Sequence, residues 1–495
     1  MYDRRDFLRT LGLLALAPYA CTRDERQATG TLVNDIHSQL NPTHVTDIVS
    51  PDSVEAIREI VREARRAGRA LSIAGGRHAM GGQQFGTDTV LVDTTKLDRV
   101  LDFDPETGRM EVQAGIQWPE LIDFYLGAQD GRPRQWGIAQ KQTGADRLCI
   151  GGTLAANAHG RVLTSKPIVG DVESFVLVDA AGDVHTCSRT ENAELFRLVI
   201  GGYGLFGVVA SVTLRLVPRQ KIERVVEVIS IDELIPALER RIADGFLFGD
   251  FQFSTDDASD SFLRQGVFSC YRPVDAATPI AEDQRKLSED DWRDLLTLAH
   301  ADKAQAFERY ASYYLSTSGQ IYWSDTHQLS TYLDDYHRPL DQVLGATERA
   351  TEIITEIYVP RTALAEFIAE ASDDFRANDV SVIYGTIRLI ERDDESFLAW
   401  AKDRYACTIF NLHTVHSPEG LEHSAQTFRR LIDMAIRHNG SYFLTYHRDA
   451  RRDQVEACYP QFPEFLRLKQ QYDPEQRFQS DWYRHYRTMF ADELA

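Results

Sequence analysis

A histidine occupies the centre of a glycine-rich loop near the start of the chain. The stretch AGGRHAMGGQ, residues 74–83, has four glycines in ten positions and no acidic residue. Consecutive backbone N–H groups along residues 75–78 can form a concave anion site, and Arg77 adds a positive charge if its side chain turns inward. The pattern is typical of a pyrophosphate-binding loop, although the same glycines also suit a tight turn between strands.

Two further glycine clusters follow in the first half of the chain, at residues 143–160 and 194–209. In the third cluster, at 194–209, Gly202–Gly207 has the GxGxxG spacing of dinucleotide-binding proteins, which requires a strand before it and a helix after it. The order here is reversed, because NAELFRLVI has helical spacing and VVASVTLRLVP alternates as a strand. A Rossmann site is therefore disfavoured, but three such segments indicate that something approaches this backbone closely.

Short strands and helices are predicted around these loops. Residues 50–70 place apolar side chains on one helical face, with Ser53 or Asp52 as the N-cap. ALSIAGG predicts a buried strand that runs into the first glycine loop. The remaining predictions here are hairpins around residues 104–108 and 181–183 and a helix that begins near Pro119.

Composition is that of an ordinary globular protein. The chain has 495 residues, 43% hydrophobic and 26% charged, which suggests two or three domains. The formal net charge of −21 argues against a nucleic-acid partner, because binding to phosphates needs a basic surface. The six cysteines form no CxxC pair, so neither a zinc site nor a dense disulfide framework is predicted, and one disulfide stays open.

The first residues predict an export signal. Arg4 and Arg5 precede an apolar run from Leu11 to Ala17 that is too short to span a bilayer, a pattern typical of twin-arginine leaders. The alternative is an ordinary amphipathic first helix. Cys21 stands where a lipoprotein signal would end, so membrane contact is expected only if it is lipidated. We therefore expect a periplasmic, cell-envelope or extracellular protein.

The three glycine segments, in this order, resemble the FAD-binding domain of the vanillyl-alcohol oxidase and p-cresol methylhydroxylase (PCMH-type) flavoproteins. FLRLKQQYDPEQRFQSDWYR, residues 465–484, resembles the C-terminal signature of their sugar-lactone and alditol oxidase branch and of decaprenylphosphoryl-ribose oxidases. The resemblance implies an α+β fold, with a PCMH-type FAD-binding domain of two subdomains and a cap domain whose antiparallel sheet is flanked by helices. The boundaries we predict are a leader at 1–30, the FAD-binding domain at 31–218, the cap (substrate) domain at 219–440, and a C-terminal segment at 441–495 that returns to the FAD region.

The same resemblance implies FAD as the cofactor, joined covalently to His78 through the flavin 8α-methyl group. The alternative is a loop histidine that packs against the flavin without a bond. A second tether, through the cysteine of berberine-bridge-like members, would fall at Ala145, so Cys149 is expected to be a small core residue. His159 resembles a histidine that faces the flavin in the decaprenylphosphoryl-ribose enzymes. The full predicted cofactor-binding set is Gly75, Gly76, Arg77, His78, Ala79, Met80, Gly81, Gly144, Gly151, Gly152, Thr153, Asn157, His159, Gly202, Gly207 and Val208.

Candidate catalytic residues come from the cap and the C-terminal segment by similarity to alditol and lactone oxidases. Arg388, on a predicted strand, matches an arginine near the flavin, but the neighbouring glutamate is Thr386 here, which puts a polyol substrate in doubt. His413 falls near an active-site histidine. His447 and Arg448 stand where relatives carry a catalytic lysine, and His447 is the titrating candidate because arginine stays protonated. The alternatives are structural ion pairs and packed histidines, and no metal site is predicted.

The implied reaction is oxidation of an alcohol, such as a sugar, an aldonolactone or a polyol, by hydride transfer to flavin N5. Electrons then pass to oxygen or another acceptor. TEIYVPR, residues 355–361, is interpreted as a strand of the cap sheet. One rival function is a cytokinin-dehydrogenase-like amine or allylic oxidase of the same fold. The other is an exported binding protein that uses the flavin fold without turnover.

Overall fold

The computed structural model describes residues 30–331, 333 and 336–494, so the predicted leader and Cys21 lie outside it. In the first part of the described chain the strands are β1 Thr31–Val33, β2 Thr43–Val45, β3 Asp47–Val49, β4 Leu71–Ala74, β5 Val90–Asp93, β6 Val100–Asp104, β7 Arg109–Gln113, β8 Trp136–Gly137, β9 Val172–Val178, β10 Val184–Ser188, β11 Val208–Arg215 and β12 Val217–Pro218. The helices there are α1 Val54–Arg66, α2 Trp118–Ala128, α3 Ile150–Ala156 and α4 Ala193–Val199.

Two sheets carry the glycine loops. β3, β5 and β4 form a parallel sheet in that order, and β10, β9, β11, β7 and β6 form an antiparallel one. Helix α1 covers the first sheet, because its buried residues Ile57, Val61 and Ala64 pack against the strands. Ser53 caps the helix, accepting a hydrogen bond from the Ala56 N–H at 3.3 Å. The first glycine loop follows β4 directly.

Most local predictions for this part are confirmed. β6 and β7 pair around the turn at 104–108, β9 and β10 pair around 181–183, and α2 begins at Trp118 with Pro119 in its first turn. Helix α4 precedes the Gly202–Gly207 segment and strand β11 follows it, which is the reverse of a Rossmann unit. The α+β architecture is likewise confirmed.

The second part of the chain builds a larger sheet. Its strands are β13 Lys221–Ser230, β14 Phe248–Phe253, β15 Gln265–Pro273, β16 Ile321–Trp323, β17 Ala350–Pro360, β18 Val382–Ile390, β19 Tyr405–Val415 and β20 Ser441–Tyr442. Its helices, and those that follow it, are α5 Ile231–Ala243, α6 Glu289–Ala301, α7 Lys303–Ser316, α8 His337–Leu344, α9 Leu364–Ala377, α10 Pro418–Arg437, α11 Arg452–Cys458, α12 Phe462–Tyr472 and α13 Asp481–Met489.

These eight strands form one antiparallel sheet in the order β16, β13, β15, β14, β18, β19, β17, β20. Helices α9 and α10 pack on one side, where Phe367 and Phe375 of α9 meet Phe410. Helices α6 and α7 lie on the other side. We call that second side the site face, because cross-strand pairs place polar side chains on it. Its members include Asp250, Gln252, Ser269, Glu352, Glu356, Tyr384, Thr386, Arg388, Cys407, Asn411 and His413.

The C-terminal segment runs back to the first glycine loop. The Leu71 N–H donates to the carbonyl of Arg477 at 2.7 Å, and the Gln479 N–H donates to the carbonyl of Leu71 at 2.8 Å. A few residues further along the loop, the Gly81 N–H donates to the carbonyl of Thr445 at 3.1 Å. The C-terminal segment thereby pairs beside the start of strand β4 and supports the loop that follows this strand.

Neither a disulfide nor a candidate membrane span occurs in the described ranges. Cys149, Cys187, Cys270, Cys407 and Cys458 are free and buried. No helix there combines the length and the apolar character needed to cross a bilayer.

Candidate active site

The glycine loop at 74–83 is shaped largely by a neighbouring loop. A side chain at Gly76 would collide with the carbonyl oxygen of Arg147, and one at Gly75 would meet the buried Cys149. Arg77 has a left-handed backbone (φ 59°), and its guanidinium pairs with Asp93 at 3.1 Å. The side chain of Arg77 is thus already paired within the protein. Cys149 is a core residue as expected, and burial raises the pKa of its thiol to about 11.

Contacts at both ring nitrogens indicate the tautomer of His78. Its Nε2 lies 3.0 Å from the carbonyl oxygen of Arg147, and its Nδ1 lies 2.8 Å from Nε2 of His37. A carbonyl can only accept, so in the neutral ring Nε2 carries the proton and Nδ1 keeps its lone pair. Burial, and then the nearby His78 and His337, lower the pKa of His37 to about 3. A neutral His37 therefore fixes the orientation and tautomer of His78.

The other predicted cofactor residues divide into two groups. Side chains at Gly151, Gly202 and Gly207 would collide with protein atoms, so these glycines allow close packing of the domain. Gly144, with φ 90°, and Gly152 face open space, where an added Cβ meets no atom within 4 Å. These two positions leave room for a ligand against the backbone.

Several predicted cofactor residues already have protein partners. The backbone carbonyls of Ala79 and Met80 accept hydrogen bonds from Gln84 and Asn41, both at 2.6 Å. The Thr153 hydroxyl accepts a hydrogen bond from Gln142 at 2.8 Å. Asn157 is fully buried, and its side-chain amide donates to Asp393 at 2.8 Å. Val208 is the first residue of strand β11. Their side chains and carbonyls thus brace the loops.

Arg388 is a buried cation on the site face. It is 5% exposed and donates a short hydrogen bond to the hydroxyl of Thr143, in the second glycine cluster. Among the described residues it forms no ion pair, and its Nε has no hydrogen-bond partner. A buried guanidinium without a carboxylate is costly unless a ligand supplies negative charge. The position fits a group that carries or develops negative charge, as FAD does or as an alcohol oxygen does when it loses its proton.

A buried carboxylate, Glu356, lies close by on strand β17. It accepts hydrogen bonds from His159 at 3.0 Å, Tyr358 at 2.7 Å and Tyr446 at 2.8 Å. Burial alone would raise the pKa of Glu356, but His159 and the two phenols outweigh that effect and lower it. The other ring nitrogen of His159 faces the carbonyl of Gly160 at 3.1 Å. Both nitrogens face acceptors, an arrangement that suits an imidazolium paired with an ionised carboxylate.

His413 lies on the same face of the sheet, near the C-terminal end of strand β19. Its Nδ1 is 3.6 Å from the carboxylate of Glu352, which stands opposite it on β17. His416 does not join it, because its Nε2 bonds to the hydroxyl of Thr351 at 2.8 Å. Glu352 and Glu356 lie four residues apart on one strand, which separates them by about 13 Å at about 3.3 Å per residue. The group around Glu352 therefore does not lie against Arg388.

His447 lies on the opposite side of the sheet from Arg388. Its ring stacks on Phe428 of α10 at 4.2 Å, and its Nε2 contacts the hydroxyl of Thr355 at 3.3 Å. Burial, and then Arg429, lower its pKa to about 3. The expectation that His447 titrates near neutrality is therefore wrong. The neighbouring residue Tyr446 reaches the site face instead.

Arg448 lies beside the first glycine loop, since its guanidinium would contact a side chain placed at Gly82. The structure thus brings Arg388 and His159 together, and leaves His413, His447 and Arg448 at separate positions around them. Sequence reasoning missed Thr143, Glu356 and Tyr446. Strand alternation in TEIYVPR was the available signal for Glu356, since it puts Glu356 and Tyr358 on one face.

Comparison with known proteins agrees with this arrangement. A family model described as an FAD binding domain matches residues 46–188, and one described as D-arabinono-1,4-lactone oxidase matches residues 278–486. The second match extends well into the middle of the chain, where the quoted motifs gave little. The first match contains the glycine clusters at 74–83 and 143–160, and the second contains Arg388, Glu356 and Tyr446.

Three characterised proteins illustrate the similarity. An L-gulono-1,4-lactone dehydrogenase of Mycobacterium tuberculosis is 24% identical, over 88% of this chain and 95% of that protein. A D-arabinono-1,4-lactone oxidase of Yarrowia lipolytica is 27% identical over 37% of this chain and 34% of its own length. Cytokinin dehydrogenase 3 of Oryza sativa is 28% identical over 34% of this chain and 32% of its own length.

The chain therefore has an FAD binding domain followed by a D-arabinono-1,4-lactone oxidase domain, and its homologues are FAD-dependent oxidoreductases of the PCMH-type family. Within that family it is an enzyme similar to the gulonolactone and arabinonolactone oxidases. Open backbone at Gly144 and Gly152 and the unpaired charge of Arg388 fit the cofactor.

The low pKa of His447 makes a prediction about stability. The folded protein keeps this ring neutral, whereas in the unfolded chain it takes up a proton near its ordinary pKa of 6.5. Stability is therefore lost as the pH falls from 6.5 toward 3, by up to about 1.4 kcal/mol per pH unit for this one group. Replacing His447 with Gln should make urea stability less dependent on pH between 6 and 4.

Phe428→Leu is the matched control, since it removes the stacking partner of His447 but no ionisable group. It should lower the urea midpoint by a similar amount at each pH. Equal pH slopes for wild type and His447→Gln would show that His447 protonates in the folded state, contrary to the prediction.

Proposed function

We propose that this enzyme oxidises a CH–OH group of a sugar lactone or a related polyhydroxylated molecule. Support comes from the second family match, which spans the strands that carry Arg388, Glu356 and His413. The similarity to a gulonolactone dehydrogenase and an arabinonolactone oxidase points the same way. The cytokinin-dehydrogenase alternative is weaker, because that similarity covers 34% of the chain, whereas the gulonolactone dehydrogenase matches over 88% of it.

One observation on the site face carries this proposal. Buried polar atoms without hydrogen-bond partners among the described residues gather there, on four neighbouring strands, β15, β14, β18 and β19. They are Gln252 Oε1, Ser269 Oγ, Thr386 Oγ1, Arg388 Nε and Asn411 Oδ1. Such atoms are costly when they stay unpaired, and most native proteins have few of them. A ligand rich in hydroxyl groups supplies both donors and acceptors and would satisfy them.

Oxidation of an alcohol removes a hydride from carbon and a proton from oxygen, and leaves a carbonyl. Bound FAD supplies the two-electron acceptor for the hydride. Arg388 is placed to stabilise negative charge that develops on the substrate oxygen. The hydroxyl proton leaves to water, because the ring nitrogens of His159 both face acceptors already and Glu356 is already bonded to three donors. Tyr446, whose pKa burial and Glu356 raise well above 10, keeps its own proton. The electrons then pass to oxygen or another acceptor.

A substrate panel tests this function. Anaerobic mixing with aldonolactones, sugars and polyols should bleach the flavin absorbance, whereas adenine-type amines should not. Arg388→Met should reduce the second-order rate of bleaching by about 10²–10³-fold, because a preorganised charge is lost. Arg404→Met is the control and should change little, because Arg404, directly before β19, is an exposed arginine that pairs with Glu391.

Bleaching by an amine alone would support the cytokinin-dehydrogenase-like alternative. A flavin that no compound reduces would support a binding protein and contradict the proposal.

We also propose that His78 is bonded covalently to the flavin. Support comes from the place of His78 in the glycine loop of the matched FAD binding domain. A bond from Nδ1 to carbon would replace the contact of Nδ1 with His37, while Nε2 keeps its contact with the carbonyl of Arg147. After acid denaturation, flavin fluorescence should remain in the protein band of a gel and should vanish in His78→Ala. His185→Ala, at a surface histidine paired with Asp179, should keep it. Free flavin in the wild-type supernatant would contradict the bond.

Finally, we propose export by the twin-arginine route to the periplasm or cell envelope, with membrane contact only if Cys21 is lipidated. The support is the pattern of Arg4, Arg5 and the short apolar run that follows. Replacing Arg4 and Arg5 together by Lys should hold the folded protein in the cytoplasm of a bacterial host, measured by fractionation and immunoblotting. Arg9→Lys is the control. Equal export of the double variant would contradict the proposal.

A further inference from the structure

The carboxylate of Glu352 collects imidazole groups from three separate elements. Nε2 of His300, on α6, lies 2.9 Å from Oε1, and Nδ1 of His413, on β19, lies 3.6 Å from the same oxygen. Nδ1 of His337, on α8, lies 2.9 Å from Oε2, to which Tyr336 also donates a short hydrogen bond. The side chains of Glu352, His300 and His337 are 3–6% exposed. Three imidazoles thus surround one buried negative charge.

Hydrogen bonding satisfies only part of this cluster, through the contacts of His300 and Tyr336 with Glu352. His413 Nδ1 is buried and has no hydrogen-bond partner among the described residues, since 3.6 Å to Glu352 is too long. His337 Nδ1, although close to Oε2, is oriented so that it forms no hydrogen bond. Full protonation of all three rings would place up to three positive charges around a single carboxylate, which burial makes costly.

His300 already has the second partner that metal-bound histidines commonly have. Its Nδ1 lies 2.8 Å from the carbonyl oxygen of Leu296, one helical turn earlier. The carbonyl accepts, so Nδ1 carries the proton, and in the neutral ring the lone pair of Nε2 points at Glu352. Histidine ligands of metals characteristically donate their other N–H to a backbone carbonyl in this way. That lone pair can face the carboxylate only when a cation lies between them, which is either a proton, as in the 2.9 Å hydrogen bond of an imidazolium, or a metal ion.

The distances suit such a cation. Bonds of about 2.0–2.2 Å in a tetrahedral site place neighbouring ligand atoms about 3.3–3.6 Å apart. The two measured separations from Glu352 Oε1, 2.9 and 3.6 Å, bracket that spacing, and all three ligand atoms lie within 4.8 Å of one another. We infer that His300, Glu352 and His413 form a binding site for a divalent transition-metal ion of the zinc class, and that His337 and Tyr336 position the carboxylate.

A second cluster shows why these residues and not others are assigned. His159, Glu356 and Cys407 also lie within 4.8 Å of one another and are fully buried. There, however, His159, Tyr358 and Tyr446 already donate hydrogen bonds to Glu356, and the Cys407 thiol lies 3.7 Å away. The polar side-chain atoms of His159, Glu356, Tyr358 and Tyr446 thus all have partners, whereas Nδ1 of His413 and Nδ1 of His337, beside Glu352, have none among the described residues.

Two imidazoles and one carboxylate leave further coordination positions for water or another small ligand, as in zinc sites with three protein ligands. His413 is 25% exposed, so an ion can reach the site without unfolding of the sheet. The inference does not depend on the substrate proposed above.

The test uses the untagged full-length chain with its flavin bound. After dialysis against a chelator, titration with Co²⁺ should give visible d–d absorption that saturates at about one equivalent, and Zn²⁺ should displace it. His300→Ala, His413→Gln and Glu352→Gln should each weaken metal binding by at least about 10–100-fold. His438→Ala is the matched control, since His438 pairs with Glu370 at 3.1 Å beside helices α9 and α10, on the opposite side of the sheet, and it should leave the affinity unchanged.

Flavin content, read from absorbance, reports whether each variant is folded, and it is scored separately from substrate bleaching. A saturating cobalt spectrum that the three variants lose while keeping their flavin supports the site. Absence of that spectrum in the flavin-loaded wild type would overturn the inference. So would a spectrum that persists unchanged in flavin-loaded Glu352→Gln and His300→Ala.

Discussion

The buried carboxylate of Glu356 is the constraint on which the active site depends. Its three hydrogen-bond donors come from the second glycine cluster (His159), from the sheet itself (Tyr358) and from the C-terminal segment (Tyr446). Loss of a partner would leave a buried charge poorly compensated, at a cost of about 3–5 kcal/mol. The carboxylate therefore fixes the FAD-binding loop, the large sheet and the returning C-terminal segment relative to one another, and it holds them beside Arg388.

Local features of this arrangement could be predicted from the sequence because each depends on residues close together in the chain. The apolar period of residues 50–70 and the cap at Ser53 define helix α1 without further information. A Rossmann unit around Gly202–Gly207 could be excluded, because the segment before it has the apolar period of a helix and the segment after it alternates as a strand. These segments form α4 and β11, the reverse of the order that a Rossmann unit needs. Alternation in strand β18 correctly put Tyr384, Thr386 and Arg388 on one face.

The remaining features arise from contacts between distant segments, which periodicity cannot register. Gly76 is glycine because the carbonyl of Arg147, about seventy residues later, occupies the space of a side chain. His447 and Tyr446 are neighbours in an irregular segment, and only the position of the sheet edge decides which of them faces Glu356. The group around Glu352 draws on α6, α8 and β19, so no short spacing of His413 and His416 could reveal it.

The site face combines two electrostatic conditions that serve different purposes. Around Glu356 every charge is matched by donors, so this region stays rigid with or without a ligand. Around Arg388, Thr386 and Asn411 buried polar atoms stay unmatched, and the folded protein bears that cost. A polyhydroxylated ligand that pairs with those atoms recovers the cost on binding, whereas an apolar molecule of the same size does not. Selectivity for hydroxyl-rich substrates therefore follows from what the face leaves unsatisfied, and orientation of the reacting carbon follows from the rigid neighbour beside it.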